Sequence, residues 1–186
     1  MKGKKDLSEM ERQMVQGMRQ QATSKNGANW SHRQDVVPDN PESVPLSQSV
    51  LNKDLIDAYK STCFHVLGVK PFVFVLGEYS PDLAALMLAK KVSGGAFITA
   101  FNPYSISLSK SENITRNDSL RKDITQNDLV IIDGYGENSE AEWEKEDSYL
   151  ILGLSLNQAK VLGVKYEQNA IVWVNENLIQ DLVLLR

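Results

Sequence analysis

The chain has 186 residues, 42% of them apolar and 24% charged, with a formal net charge of −4; this excludes collagenous, membrane-embedded and wholly disordered chains and fits one sizeable domain with an extension. Cys63 is the only cysteine, so neither an intrachain disulfide nor a paired-thiolate zinc site can form. No apolar run nears the ~18 residues of a membrane span, and the basic start Met1–Ser8 leads into no apolar signal stretch, so a cytoplasmic setting without a membrane partner is expected.

Charge is unevenly placed. Residues 1–54 hold eight Lys or Arg against seven Asp or Glu, and the remainder twelve against seventeen. Non-specific nucleic-acid binding draws its affinity from cations that neutralise phosphates. With this acidic body, none is expected.

In chain order, the first element is a short helix over residues 7–18. Ser8 and Glu11 have capping-box spacing, and Leu7, Met10, Met14 and Met18 recur at about one turn. Its adaptable methionine face suits a protein partner; the plainer reading is a marginal helix that frays. From Gln21 to Leu51, Ser, Asn and Gln with Pro38, Pro41 and Pro45 read as a flexible linker. Residues 1–54 are therefore expected to be an extension, and residues 55–186 the domain.

The domain opens with a short helix near Leu55–Tyr59 and a hairpin, Cys63–Leu67 and Phe72–Leu76. Ser80-Pro81-Asp82 starts a helix that Gly94-Gly95 ends. Ala96–Phe101 is the next strand. Ser109 and Glu112 form a capping box for a helix to about Gln126, followed by strand Leu129–Ile132. An acidic loop spans Asp133–Asp147, with seven acidic residues against Lys145. Strand Tyr149–Leu152, a helix from about Leu156 to Lys165, strand Ala170–Val174 and strand Asp181–Leu185 complete the chain. The expected class is α/β or α+β, a single mixed sheet of about seven strands with three helices.

Polar residues gather after three of these strands, in Gly77–Ser80, Asn102–Ser105 and Asp133–Gly136. Parallel, right-handed βαβ crossings would bring the three loops to one end of the sheet, where ligands of open α/β sheets bind. The helix starts at Ser80 and Ser109 would add amides suited to an anion. Asn113, Arg116 and Asn117 continue the Leu120–Ile124 stripe toward that end, and buried groups of this kind need partners in the protein or in a ligand. Gln168 and Asn169 join them if Tyr149–Leu152 returns antiparallel to Leu129–Ile132. Arg116 is thus the candidate anion contact. Asn102, Ser105, Asn113, Gln168 and Asn169 are candidate readers of polar groups, and Glu78 the candidate base. Glu78, Asp133 and Glu146 are carboxylates that magnesium or acid–base chemistry could use, although solvated loop charge is the simpler reading of all three. No P-loop or dinucleotide fingerprint occurs, and His32 and His65 are too scattered for a triad or a metal site.

The body from about Leu55 onward resembles the Domain of Unknown Function 3293 family, mainly of bacterial proteins. The likeness lies in Gly77-Glu78 with Ser80-Pro81, Phe97–Pro103 with Ser105, Glu112-Asn113 with Arg116, Trp143 with Glu146 and Ser148, and Gln168–Trp173. Where the family commonly has a glycine before the Gln-Asn pair, this chain has Glu167. The resemblance implies a domain boundary but no activity, and names no cofactor. The residues themselves lead to a small anionic, nucleotide-like ligand at the loop end of the sheet; the alternative is an interaction module that uses the N-terminal helix and the acidic loop.

Overall fold

The computed structural model describes residues 42–127, 129–138, 143–175 and 177–186. The methionine helix expected over residues 7–18 and most of the linker lie outside them. Seven strands, β1 (Cys63–Val66), β2 (Phe72–Phe74), β3 (Gly95–Ile98), β4 (Val130–Asn138), β5 (Trp143–Leu152), β6 (Ala170–Val174) and β7 (Gln180–Leu184), form one sheet in the order β2-β1-β4-β5-β3-β6-β7. Among the described residues four α-helices accompany it: α1 (Lys53–Lys60), α2 (Pro81–Lys90), α3 (Lys110–Thr125) and α4 (Leu156–Lys165). This is an α+β architecture. The fourth helix is α1, the short helix expected near Leu55–Tyr59, which starts earlier, at Lys53, because the Asn52 side chain caps it, accepting from Leu55 N at 2.8 Å.

Every neighbouring pair of strands is antiparallel, which corrects the expected mixed sheet. Taken through these pairings, β2, β3, β4 and β7 run one way, and β1, β5 and β6 the other. The helical crossovers do return same-direction strands, but at least one strand of opposite direction inserts between each such pair (β5 between β3 and β4, β3 between β5 and β6), so no two become neighbours. The acidic segment is also corrected: Asp133–Asn138 and Trp143–Asp147 belong to β4 and β5, a long hairpin in which Asp133 opposes Tyr149 and Gly136 opposes Glu146.

Local signals explain the helices. Ser80 caps α2 with Pro81 in its first turn. Ser109 with Glu112, and Ser155 with Gln158, form capping boxes on α3 and α4. The bonds from the Ser109 hydroxyl and amide hold the Glu112 carboxyl below its usual range. On one face of the sheet, Leu83, Ala84 and Met87 of α2 pack with Phe64, Phe74, Phe97, Leu150 and Val172. On the other, Leu120 and Ile124 of α3 and Ala159 and Leu162 of α4 pack with Ala96, Ile98, Ile151 and Ile171.

The sheet curls on the side of α2, and the segment after edge strand β2 reaches edge strand β7. After β2 the chain crosses to the start of β7, where Gly77 N donates to Gln180 O at 2.8 Å and Tyr79 bridges Ile179. Residues 42–52 run beside the other end of β7: Val44 N donates to Leu184 O at 2.9 Å and the Ser49 hydroxyl to Arg186 O at 2.5 Å. Among the described residues no helix is long and apolar enough to cross a membrane.

Candidate functional site

A cavity of about 80 Å³ opens where β3 and β4 end, on the face of the sheet that also holds α2. Phe64, Phe97 and Phe101 form its apolar wall. Gly136 makes the room: positions 134 and 136 share one face of β4 by strand alternation, and without a side chain at 136 the floor between Phe64 and Glu146 stays low. Tyr59, at the end of α1, stands at the mouth. Asn138, 5% exposed, fixes that helix end by donating to Ala58 O at 3.0 Å and to the Ser61 hydroxyl at 2.9 Å.

The polar wall comes from two strained segments. Asn102, Tyr104 and Ser105 all have left-handed φ values, of 43°, 52° and 61°, and Glu167 has 57°. Non-glycine residues held in this region cost of order 1–3 kcal/mol each and survive where the surroundings over-determine them. Here the segments brace each other, Tyr104 N donating to Glu167 O at 2.7 Å. Glu167 also occupies the position after the α4 cap in a Schellman motif, with Gln168 N on Gly163 O at 2.9 Å and Glu167 N on Val164 O at 3.0 Å. That motif requires φ > 0, which is the reason glycine suits this position.

The structure separates the sequence candidates into two groups. Asn102, Ser105, Gln168 and Asn169 line the cavity. The hairpin of β4 and β5 reverses the chain, α4 returns it, and the Gln168-Asn169 pair arrives at this end. Asn113, Arg116 and Glu78 are not in the lining. Asn113, 4% exposed, accepts from Asn102 N at 2.8 Å and donates to Asn102 Oδ1 at 2.9 Å. Arg116 donates Nε to Ala100 O at 2.8 Å, Nη2 to Tyr166 O at 2.8 Å and Nη1 to Glu167 Oε2 at 3.2 Å, so its guanidinium ties α3 to both strained segments. Asn117 completes the stripe by accepting from Ala100 N and donating to Asp147 O, both at 2.8 Å. Glu78 is exposed beside the start of β7, which pairs through Val174 with the start of β3, the end of the sheet away from the cavity. The chain's crossing after β2 carried it there.

Two polar features escaped the sequence reading. Tyr59 comes from an element outside the sheet, and its hydroxyl lies 3.3 Å from the Ser105 hydroxyl. Glu146, expected from the sequence as solvated loop charge, sits on β5 inside the cavity wall, its Oε1 accepting from Asn102 Nδ2 at 2.7 Å. The strict alternation Glu146, Ser148, Leu150 on one strand face was the available signal. Asn169 is the most confined member at 3% exposure: Nδ2 donates to the Ser105 hydroxyl at 2.9 Å and the Tyr59 hydroxyl at 3.4 Å, whereas the buried Oδ1 has no partner. Among the described residues no three His, Cys, Asp or Glu side chains are grouped to hold a metal ion.

Part of the chain that builds this cavity is similar in sequence to a known family. Residues 98–171 match the family model of the protein of unknown function DUF3293. The match bears out the resemblance carried by the sequence, and it runs from β3 through the first residues of β6. It therefore contains Asn102, Ser105, Glu146, Gln168 and Asn169, while Tyr59 and Phe64 lie before it. No curated protein and no solved structure matches the chain.

Proposed function

We propose that this DUF3293 domain binds a small molecule in the cavity where β3 and β4 end. The observation that carries the reading is Asn169, a nearly buried amide on the cavity wall whose Oδ1 lacks a partner. Buried polar atoms are left unsatisfied at a cost of about 1–3 kcal/mol, and a bound ligand offers the missing donor. Strain supports the same reading. Four of the six non-glycine residues with positive φ among the described ones belong to the two segments that wall the cavity, and such strain gathers at ligand clamps.

The size of the cavity narrows the ligand. Pockets for drug-sized ligands run to about 300–1,000 Å³, so a space of about 80 Å³ takes a molecule of a few heavy atoms or one end of a larger one. Arg116, the anion contact expected from the sequence, turns Nε, Nη1 and Nη2 onto three protein acceptors and lies outside the cavity lining.

Thermal unfolding across a panel of small metabolites tests the proposal. A ligand at 100 times its Kd should stabilise by about 2.7 kcal/mol, and Asn169→Leu should abolish the response while leaving the unliganded protein within about 1 kcal/mol of its original stability, since a similarly sized apolar side chain removes the orphaned oxygen. A panel without a response, together with a large loss of stability in Asn169→Leu, would make the cavity a packing defect.

A further inference from the structure

We infer that the group entering this cavity is an uncharged hydrogen-bond donor, a hydroxyl or an amide N–H, carried on a small apolar body. The inference rests on the cavity being a ligand site and adds the chemistry of what enters it. Donors on the polar wall are already engaged within the protein. Thr99 and Ser148 give their single hydroxyl protons to Asp147 O at 2.7 Å and to Glu146 O at 3.0 Å. Gln168 Nε2 donates to Phe101 O at 3.0 Å and Tyr166 O at 3.1 Å, and Asn169 Nδ2 to the hydroxyls of Ser105 at 2.9 Å and Tyr59 at 3.4 Å. An amide nitrogen carries two hydrogens, so both are occupied in each of these residues. The buried Asn169 Oδ1, by contrast, has no partner. A ligand whose polar atoms only accept finds these donors taken, whereas one that donates meets an open acceptor.

Charge of either sign is disfavoured. Among the described lining residues there is no Lys, Arg or His to receive an anion. Glu146 is engaged within the protein, its Oε1 accepting from Asn102 Nδ2 at 2.7 Å, so a cation would share a carboxylate already in use. The inner wall is continuous with the hydrophobic core: Phe64, Phe97 and Val172 line the cavity and belong to the buried cluster that packs with α2. Moving an ion from water into such surroundings costs far more than burying an uncharged donor that meets an acceptor. A short alkyl chain gains from the same contacts, because they remove its apolar surface from water.

The test uses the full-length protein and probes of nearly equal size: 1-propanol, propionamide, acetone, n-propylammonium and propionate, each titrated at pH 7 and constant ionic strength. Backbone amide chemical shifts of Gly136, Ser148 and Asn169 are the readout. The expected result is saturable binding of 1-propanol or propionamide at least about tenfold tighter than that of the other three, with the tighter of the two telling hydroxyl from amide. Asn169→Leu, which removes the open acceptor, should weaken that binding by at least about tenfold. Equal or tighter binding of acetone, which only accepts, overturns the donor while leaving the small-molecule site in place. Equal or tighter binding of propylammonium or propionate overturns the uncharged ligand in the same way. Unchanged affinity in Asn169→Leu overturns the contact with its Oδ1, and the wild-type titrations stand on their own if the variant fails to fold. Absence of a response to every probe removes the inference and, with an unresponsive metabolite panel, the site.

Discussion

At the scale of single residues, Arg116 and Glu167 form one joint. Arg116 holds Ala100 O and Tyr166 O as well as the Glu167 carboxylate, so Arg116→Met leaves two carbonyls and a partly buried carboxylate without their donor. With losses of about 1–3 kcal/mol for each unsatisfied buried group, offset by residual water access, the variant should lose about 3 kcal/mol. Urea unfolding with an unchanged slope would measure it, and a loss below about 1 kcal/mol would show that the joint carries no load. Glu167 separates two effects of opposite sign. Glu167→Gly relieves the left-handed strain but gives up the ion pair to Arg116, which is worth about 0–1 kcal/mol because Glu167 itself is nearly half exposed, and should change stability by less than about 1 kcal/mol. Glu167→Ala keeps the strain and loses the pair, and should be about 1 kcal/mol less stable than the glycine variant.

Elements pack closely enough for one strand to contain both a forbidden and a tolerant glycine. A Cβ on Gly134 would lie 2.4 Å from His65 O and 2.8 Å from Phe97 Cε2. The first of these is backbone in the neighbouring strand β1, so the strands must separate to accept it. Gly134→Ala should therefore cost at least about 3 kcal/mol, the upper range for overpacking. A Cβ on Gly136, two residues along the same face, would sit 3.4 Å from Thr62 Cγ2. Gly136→Ala should change stability by about 1 kcal/mol or less and narrow the cavity, weakening any small ligand at least fivefold. Calorimetry of the two variants beside ligand titration of the second checks both statements. Equal melting temperatures would refute the close approach of β1 to β4.

For the whole molecule, the curled sheet is closed at both ends of β7, by Gly77 on Gln180 and by Val44 on Leu184. A chain starting at residue 42 retains the Val44 and Ser49 bonds and the Asn52 cap. One starting at residue 55 loses all three along with the first turn of α1, which carries Tyr59 to the cavity. Because a cap alone is worth about 1 kcal/mol and each hydrogen bond about 0.5–1.5 kcal/mol, the shorter chain should be less stable by about 2–3 kcal/mol, a fall of several degrees in Tm. Identical melting of the two chains would place the domain boundary at residue 55, as the composition alone suggests.

What the sequence determined by itself is what depends on near neighbours. Ser80-Pro81, the Ser109 and Glu112 box and the hydrophobic runs specify helices and strands because caps, proline and side-chain period act within a few residues. Such signals reach neither the order of strands nor the end of the sheet at which a loop arrives. The insertion of β5 between β4 and β3 made the sheet antiparallel, yet it brought Gln168 and Asn169 to the cavity, because strand direction depends only on how often the chain reverses. Glu78 went elsewhere because the sheet curls, and curling is a property of the whole barrel-like closure on β7. The roles of Arg116 and Asn113 were decided last. A polar stripe on a helix demands partners, but only packing determines whether a backbone carbonyl or an open cavity lies within 3 Å of each donor.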